Sequence, residues 1–152
     1  MCYDKGEGVK KDKKQAFDWY KKAAEQGDAK AQYNLALCYD YGAGVEEDKK
    51  QAFDWFEKAA KQGIAKAQYN LALCYAKGEG VKKDKKQAFD WFEKAAKQGM
   101  AAAQYNLALC YYKRKEYDEA QSWLEKALAD GVSEAQKYID KINKKLRRLK
   151  VS

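Results

Sequence analysis

Histidine and proline are both absent from this 152-residue chain. Without histidine, it lacks the usual general base near neutral pH and the commonest metal ligand. Without proline, and with only 10 glycines, it reads as neither a loop-rich sandwich nor a collagen-like chain. Four cysteines are too few to staple a scaffold of this length. No apolar run approaches the roughly 20 residues that cross a bilayer, so no membrane span is expected. The opening MCYDKGEGVKK lacks the apolar stretch of a secretory signal. What is present is 46% hydrophobic and 36% charged residues, with 31 basic and 23 acidic side chains and a net charge of +8. That composition suits a soluble, lysine-rich, mostly helical protein.

Internal repetition dominates the sequence, and fixed periods of this length mark stacked repeat architectures. Cys2, Cys38, Cys74 and Cys110 are each 36 residues apart, and Trp19, Trp55 and Trp91 keep the same interval. Residues 28–63 and 64–99 are identical at 30 of 36 positions. The six differences are Asp28/Ile64, Asp40/Ala76, Tyr41/Lys77, Ala43/Glu79, Glu46/Lys82 and Glu47/Lys83, concentrated in and around the turns. A constant framework with variable turns means that each copy solves the same packing problem.

Each copy reads as two helices. The first runs from about Ala29 to Tyr41 and the second from about Asp48 to Gln62, with Gly42 and Gly63 as helix-ending residues. Asp48 and Gln51 have the spacing of a capping box. Ala52, Trp55, Phe56, Ala59 and Ala60 form the expected buried stripe of the second helix. The first helix is apolar on two faces, one with Leu35, Ala36, Cys38 and Tyr39, the other with Tyr33, Leu37 and Tyr41. Such a helix is either sandwiched between neighbours or has one face awaiting a partner.

The stretch AQYNLALCYDYGAGVEEDKKQAFDWFEKAAKQG is similar to the Sel1-like repeat, a subclass of the tetratricopeptide superfamily. The match rests on Leu35, Tyr39, Gly42, Gly44, Val45, Asp48, Ala52, Trp55, Lys58, Ala59, Ala60 and Gly63, and it recurs 36 residues later. Ala36, Ala72 and Ala108 stand where that family has glycine. The unit from residue 100 lacks the Gly-x-Gly-Val loop. Its inter-helix turn is four residues shorter, and with Tyr117, Asp118, Glu119, Ala120 and Trp123 it resembles an ordinary tetratricopeptide repeat. The resemblance implies an all-α, right-handed α-solenoid of helix–turn–helix repeats with a C-terminal capping helix, forming one domain over 1–152. Its expected parts are a truncated first repeat (1–27), repeats at 28–63, 64–99 and 100–132, and a capping helix with a basic tail (133–152). Ser133 and Gln136 are expected to box the start of that helix, and Ala135, Tyr138, Ile139, Ile142, Leu146 and Leu149 to form its apolar stripe.

Chemistry finds little purchase here. The cysteines occupy one equivalent position per repeat, and helices pack roughly 8–10 Å apart, beyond the roughly 7 Å Cα separation a disulfide tolerates. They read as small buried core side chains, with Cys2 exposed and reactive. Cysteine-rich members of the resembled family bridge adjacent units with Cys pairs, and the matching positions here are Ala24 and Gln32. That favours a reducing, cytoplasmic compartment. The glycines follow a helix rather than a strand, so they read as a turn and not a phosphate cradle. The acids sit on solvated faces or caps. We therefore expect no enzyme activity, no metal and no cofactor. Residues 133–152 carry +5 of the net charge, but no base-stacking groups accompany them, so no specific nucleic-acid recognition is expected. Lys10–Lys11, Glu46–Glu47 and Lys82–Lys83 occupy equivalent turns and are expected to attract across the stack.

In arrays of the resembled class the first helix of each pair lines the concave surface. Carried over, that places a peptide-binding row at Lys30, Tyr33, Leu37, Asp40 and Tyr41. Lys66, Tyr69, Leu73 and Lys77 continue it, followed by Tyr105, Leu109, Tyr112 and Lys113. A tyrosine–leucine ladder with a polar rim suits a peptide or helix, because aromatic anchors bury area at small entropic cost. The expected function is a non-catalytic protein–protein interaction scaffold or adaptor. The competing reading is an engineered or consensus scaffold, or a fragment of a longer array, with no native ligand. It includes homo-association through apolar surface at Trp19, Tyr20 and Ala23.

Overall fold

The computed structural model describes residues 5–152, apart from the side chains of residues 5–7 and 9. Cys2 and Tyr3, expected at the end of a truncated first helix, lie outside the described residues. Eight α-helices and no strands are found among the described residues: α1 (Lys5–Glu25), α2 (Ala29–Tyr41), α3 (Lys49–Lys61), α4 (Ala65–Lys77), α5 (Lys85–Lys97), α6 (Ala101–Lys113), α7 (Tyr117–Ala129) and α8 (Ala135–Val151). They gather into two compact units, Met1–Ala88 and Phe89–Ser152, with α5 giving its first turn to the first unit and the rest to the second. In the first unit α1 to α4 pack consecutively, and in the second α6 to α8 do the same. This is the all-α, helix–turn–helix repeat fold of the α-solenoid class.

The helix ends follow the residues that cap them. Asp28 Oδ1 accepts from the Ala31 amide at 2.8 Å, and Asp48 Oδ1 from that of Gln51 at 3.0 Å, so the expected aspartate cap forms. α2 stops at Gly42, whose φ of 68° is left-handed. Ile64 replaces Asp28 ahead of α4 and makes no side-chain cap bond, a loss of about 1 kcal/mol. The Gly42 and Gly78 turns close with the same backbone bonds, Asp48 N–H to Tyr39 C=O and Asp84 N–H to Tyr75 C=O, each 2.9 Å. The Glu46/Lys82 and Glu47/Lys83 differences fall on exposed positions, and both turns close with the same bonds.

The second glycine of each turn has a different task. A Cβ on Gly44 would overlap the backbone carbonyl of Lys13, and one on Gly80 the carbonyl of Lys49. The turn is thus seated on the helix two elements before it. This explains a departure from expectation at the N-terminus. The first copy of the motif, through Gly8, is not a turn: α1 runs continuously from Lys5, and Lys10–Lys11 are helical. A Cβ on Gly8 meets nothing within 4 Å, so no helix among the described residues shapes a turn there.

Three further expectations are corrected. The buried stripe of α3 contains Phe53 with Ala52, Phe56, Ala59 and Ala60, whereas Trp55 is only half-buried, with Lys58 Nζ 4.2 Å from its ring centroid. Phe53 stands edge-on to Tyr75 of α4 at 5.4 Å, and Phe17–Tyr39 (5.4 Å) and Phe89–Tyr111 (5.3 Å) repeat that pair. Ser133 does not box α8, which begins at Ala135 with no side-chain cap. Gln136 instead donates its amide N–H to the Ser133 carbonyl and its side chain to Asp140. Finally, the expected row of charged turns is broken at Lys10–Lys11, which are helical, while Glu47 pairs with Lys49 of its own repeat (3.5 Å) and Lys49 feels Glu79 of the following turn.

A glutamine ladder ties each pair together. Gln32 is buried in α2 and donates to the Ala24 carbonyl at 3.3 Å, and Gln68 donates likewise to Ala60 at 3.2 Å. At the far end of α3, Gln62 donates to Gln32 Oε1 (2.8 Å) and to the Gly27 carbonyl (3.0 Å). In the second unit Asp130–Gly131 stands where the earlier repeat has Gln62–Gly63. Asp130 lacks the amide N–H of a glutamine, and the buried Gln104 Oε1 has no partner among the described residues.

The second unit is held by Leu124, Ala127, Ala135, Ile139 and Ile142, with Tyr138 and Leu146 beside them. The expected stripe of α8 is therefore correct up to Leu146, while Leu149 stands exposed. The short α6–α7 turn puts Lys115 at φ 63°, a left-handed conformation without glycine.

Candidate functional site

The ladder residues share one face of their helices, because positions four apart lie one above the other. In the first unit, Lys30 is exposed on α2, Tyr33 and Leu37 are half-buried, and Tyr41 is 76% exposed. Tyr33 leans on Phe56, with ring centroids 6.1 Å apart. Burial pushes its phenol above the ordinary range, opposed by a side-chain hydrogen bond with Asn70 of α4. Asp40 is engaged internally: Lys49 Nζ donates to its carboxylate and to its carbonyl, both at 2.9 Å. That hydrogen bond is the main reason the Lys49 ammonium is pushed above its usual value. On α4, Tyr69 and Leu73 are half-buried while Lys66 and Lys77 are exposed.

In the second unit the corresponding residues are met by α8. Tyr105 packs against Tyr138 at 6.1 Å, and Tyr112 against Tyr138 at 5.3 Å and Tyr117 at 5.7 Å. Lys145 Nζ lies 5.3 Å from the Tyr112 centroid and 3.3 Å from the Tyr117 hydroxyl. Leu109 is half-buried and Lys113 exposed. Burial pushes the Tyr105 phenol up, and Tyr138 and Glu134 add to the shift. The structure thus brings Tyr105 and Tyr112 into one aromatic cluster, built with residues of α7 and α8 that the ladder did not include. A tyrosine at 138, on the apolar side of the last helix, was the available signal.

The cysteines offer no reactive group among the described residues. Cys38, Cys74 and Cys110 are free thiols, the first two buried. Burial pushes the Cys74 thiol up to about 11, so it stays protonated at neutral pH. No group of three or more cysteine, aspartate or glutamate side chains fit to hold a metal occurs among the described residues. Nor is any helix among them long and apolar enough to cross a membrane. Two shallow depressions lie away from the ladder, one at Gln15, Asp18, Trp19 and Lys22 on α1, the other at Arg147, Arg148, Val151 and Ser152 on α8.

Comparison with known proteins agrees with this geometry. The Sel1 repeat pattern matches residues 1–28, 29–64 and 65–100, and a tetratricopeptide repeat pattern matches 83–144. A Sel1 repeat protein from Oxalobacter formigenes is 38% identical, with a TM-score of 0.72, over 75% of this chain and 49% of that one. The protective antigen c5321 of uropathogenic Escherichia coli, which displays an SLR fold, is 33% identical with a TM-score of 0.80, over 88% of this chain and 30% of its own. Cysteine rich protein B of Helicobacter pylori is 30% identical with a TM-score of 0.55, over 57% of this chain and 65% of that protein. The chain thus spans half or less of the length of the first two. No curated protein matches it.

Proposed function

The chain belongs to the Sel1 repeat family, whose fold is generally a protein–protein interaction scaffold, and from that premise we propose that it binds a peptide or helix on the exposed faces of its first-of-pair helices. The observation that carries this reading is the row on α2. There Tyr41 stands 76% exposed, one turn from half-buried Leu37 and two from Tyr33. A large apolar ring left in water at the end of such a row is what a docking partner covers. Lys30, Lys66 and Lys77 form its polar rim, while Asp40 serves Lys49 and stiffens the end of α2. In the second unit Tyr105, Leu109, Tyr112 and Lys113 play the same part beside α8. The role is non-catalytic.

Panning a displayed random-peptide library against the full chain tests this. Enriched peptides should lose about thirtyfold in affinity on Tyr69→Ala with Leu73→Ala, two truncations of hot-spot size. Tyr41→Ala, at an exposed position, should weaken them without moving the melting temperature. Unchanged affinity in both variants overturns the assignment.

A second reading draws on Trp19, which is 74% exposed on α1, with Tyr20 and Ala23 half-buried nearby. This surface supports homo-association. A monomeric mass by sedimentation at high concentration would exclude it.

A further inference from the structure

The last helix carries a row of cations of which the fold engages only Lys141. Lys137, Lys141, Lys144 and Arg148 follow a spacing of four, three and four, which places them on one flank of α8. All four are exposed, and Lys137, Lys144 and Arg148 have no ion-pair partner among the described residues. The helix dipole accounts for Arg148 near the C-terminal end. It does not account for Lys137, which sits in the first turn, where a cation is disfavoured. Asp140, the acid within α8, accepts from Gln136. Two contacts fix where the row lies: Lys141 Nζ is 5.0 Å from the Tyr138 centroid, and neighbouring Lys145 covers Tyr112 and Tyr117. The basic flank is therefore continuous with the tyrosines of α6 and α7.

We propose that this flank of α8, together with Tyr112, Tyr117 and Tyr138, is the docking surface for an acidic segment of a protein partner. The proposal rests on reading α6 as a docking face and names the chemistry that face selects. From Lys137 to Arg148 the helix rises about 16 Å, the length of about five extended residues, so an extended acidic stretch can set successive carboxylates along the cations. Charge complementarity of this kind selects partners and speeds encounter. A lipid surface fits less well. Leu149 and Val151 are exposed, but two positions apart they point to nearly opposite sides of the helix and cannot insert together. A single-stranded nucleic acid wants open ring faces, whereas these rings are packed edge-to-face on one another.

Fluorescence anisotropy on the full chain tests the proposal, with a labelled deca-glutamate peptide as probe and a deca-lysine peptide, a thymidine oligonucleotide and phosphatidylserine vesicles as comparators. The glutamate peptide should bind. Lys137→Glu, Lys141→Glu, Lys144→Glu and Arg148→Glu together should weaken it about thirtyfold. A control, Lys10→Glu, Lys11→Glu, Lys82→Glu and Lys83→Glu, brings the net charge from +8 to the same zero and should retain most of the affinity. Equal loss in both variants, or binding of vesicles or oligonucleotide without the peptide, overturns the proposal. Circular dichroism should show unchanged helicity, since every substituted residue is exposed. Tyr69→Ala with Leu73→Ala leaves α8 intact, so a failed ladder and a failed basic flank give different results.

Discussion

Replacing Asp130 with glutamine should stabilise the protein by completing a hydrogen bond that the earlier repeat already makes. In that repeat Gln62 spans from the end of α3 to Gln32 Oε1 at 2.8 Å and to the Gly27 carbonyl at 3.0 Å. Gln104 occupies the place of Gln32 and is only 5% exposed, yet its Oε1 is unpaired among the described residues because Asp130 offers no donor. A buried acceptor without a partner costs about 1–3 kcal/mol, and pairing it recovers about 1–2 kcal/mol of that. For a chain of this size that is about 3–6 °C in melting temperature. Asp130 also caps the C-terminal end of α7, where a negative charge opposes the helix dipole, so removing the charge adds about 0.3–1 kcal/mol by itself. Asp130→Asn separates the two contributions, since it removes the charge but is a methylene too short to reach Gln104. Chemical denaturation of both variants is the assay. Equal stabilisation by Asn and Gln would refute the ladder as the cause.

Four other outcomes are expected. Gly44→Ala and Gly80→Ala should each destabilise by about 2 kcal/mol or more, since the residue needs a positive φ and its methyl would strike a backbone carbonyl, whereas Gly8→Ala should raise stability by about 0.5–1 kcal/mol; urea melts distinguish these. Phe53→Ala should cost about 3–5 kcal/mol by emptying the contact with Tyr75, while Trp19→Ala should change the melt little. The Cys74 thiol has its pKa raised from 9.0 to about 11, so the folded state holds its proton longer than the unfolded one. Its stabilising contribution is complete below pH 9 and lost as pH rises towards 11, and Cys74→Ala should flatten that decline in denaturation midpoints. Asn at Ile64 should restore the missing cap and add about 1 kcal/mol, read from the same melts.

The helices α2 and α3 were legible in the sequence because local residues set their boundaries. Asp28 and Asp48 accept from their own first turns, and Gly42 takes a conformation few other residues reach. What escaped depends on contacts distant in sequence. Phe53 rather than Trp55 is buried because Tyr75, on the next helix, offers an edge to it, and one helix's pattern does not reveal that neighbour. The continuity of α1 through Gly6 and Gly8 escaped because a turn seated on another helix has the same sequence whether or not that helix is there. The glutamine ladder did have a signal: Gln32, Gln68 and Gln104 are polar side chains kept within an apolar face in all three copies. For the candidate site, the face of Tyr33, Leu37 and Tyr41 was readable from helical spacing. The meeting of Tyr105 and Tyr112 with Tyr138 had only the position of Tyr138 in the apolar stripe of α8 as a signal, because the contact itself depends on where α8 packs.

The seat that Lys13 provides for Gly44, and Lys49 for Gly80, gives the array a direction. Each of these two glycines is seated on a helix that left the ribosome 31 residues before it. A nascent chain can therefore lay down one repeat upon the last as it emerges, each finished surface acting as the template for the next. New copies grafted at the C-terminal side meet a ready mould, whereas copies grafted ahead of α1 must first convert a continuous helix into a turn.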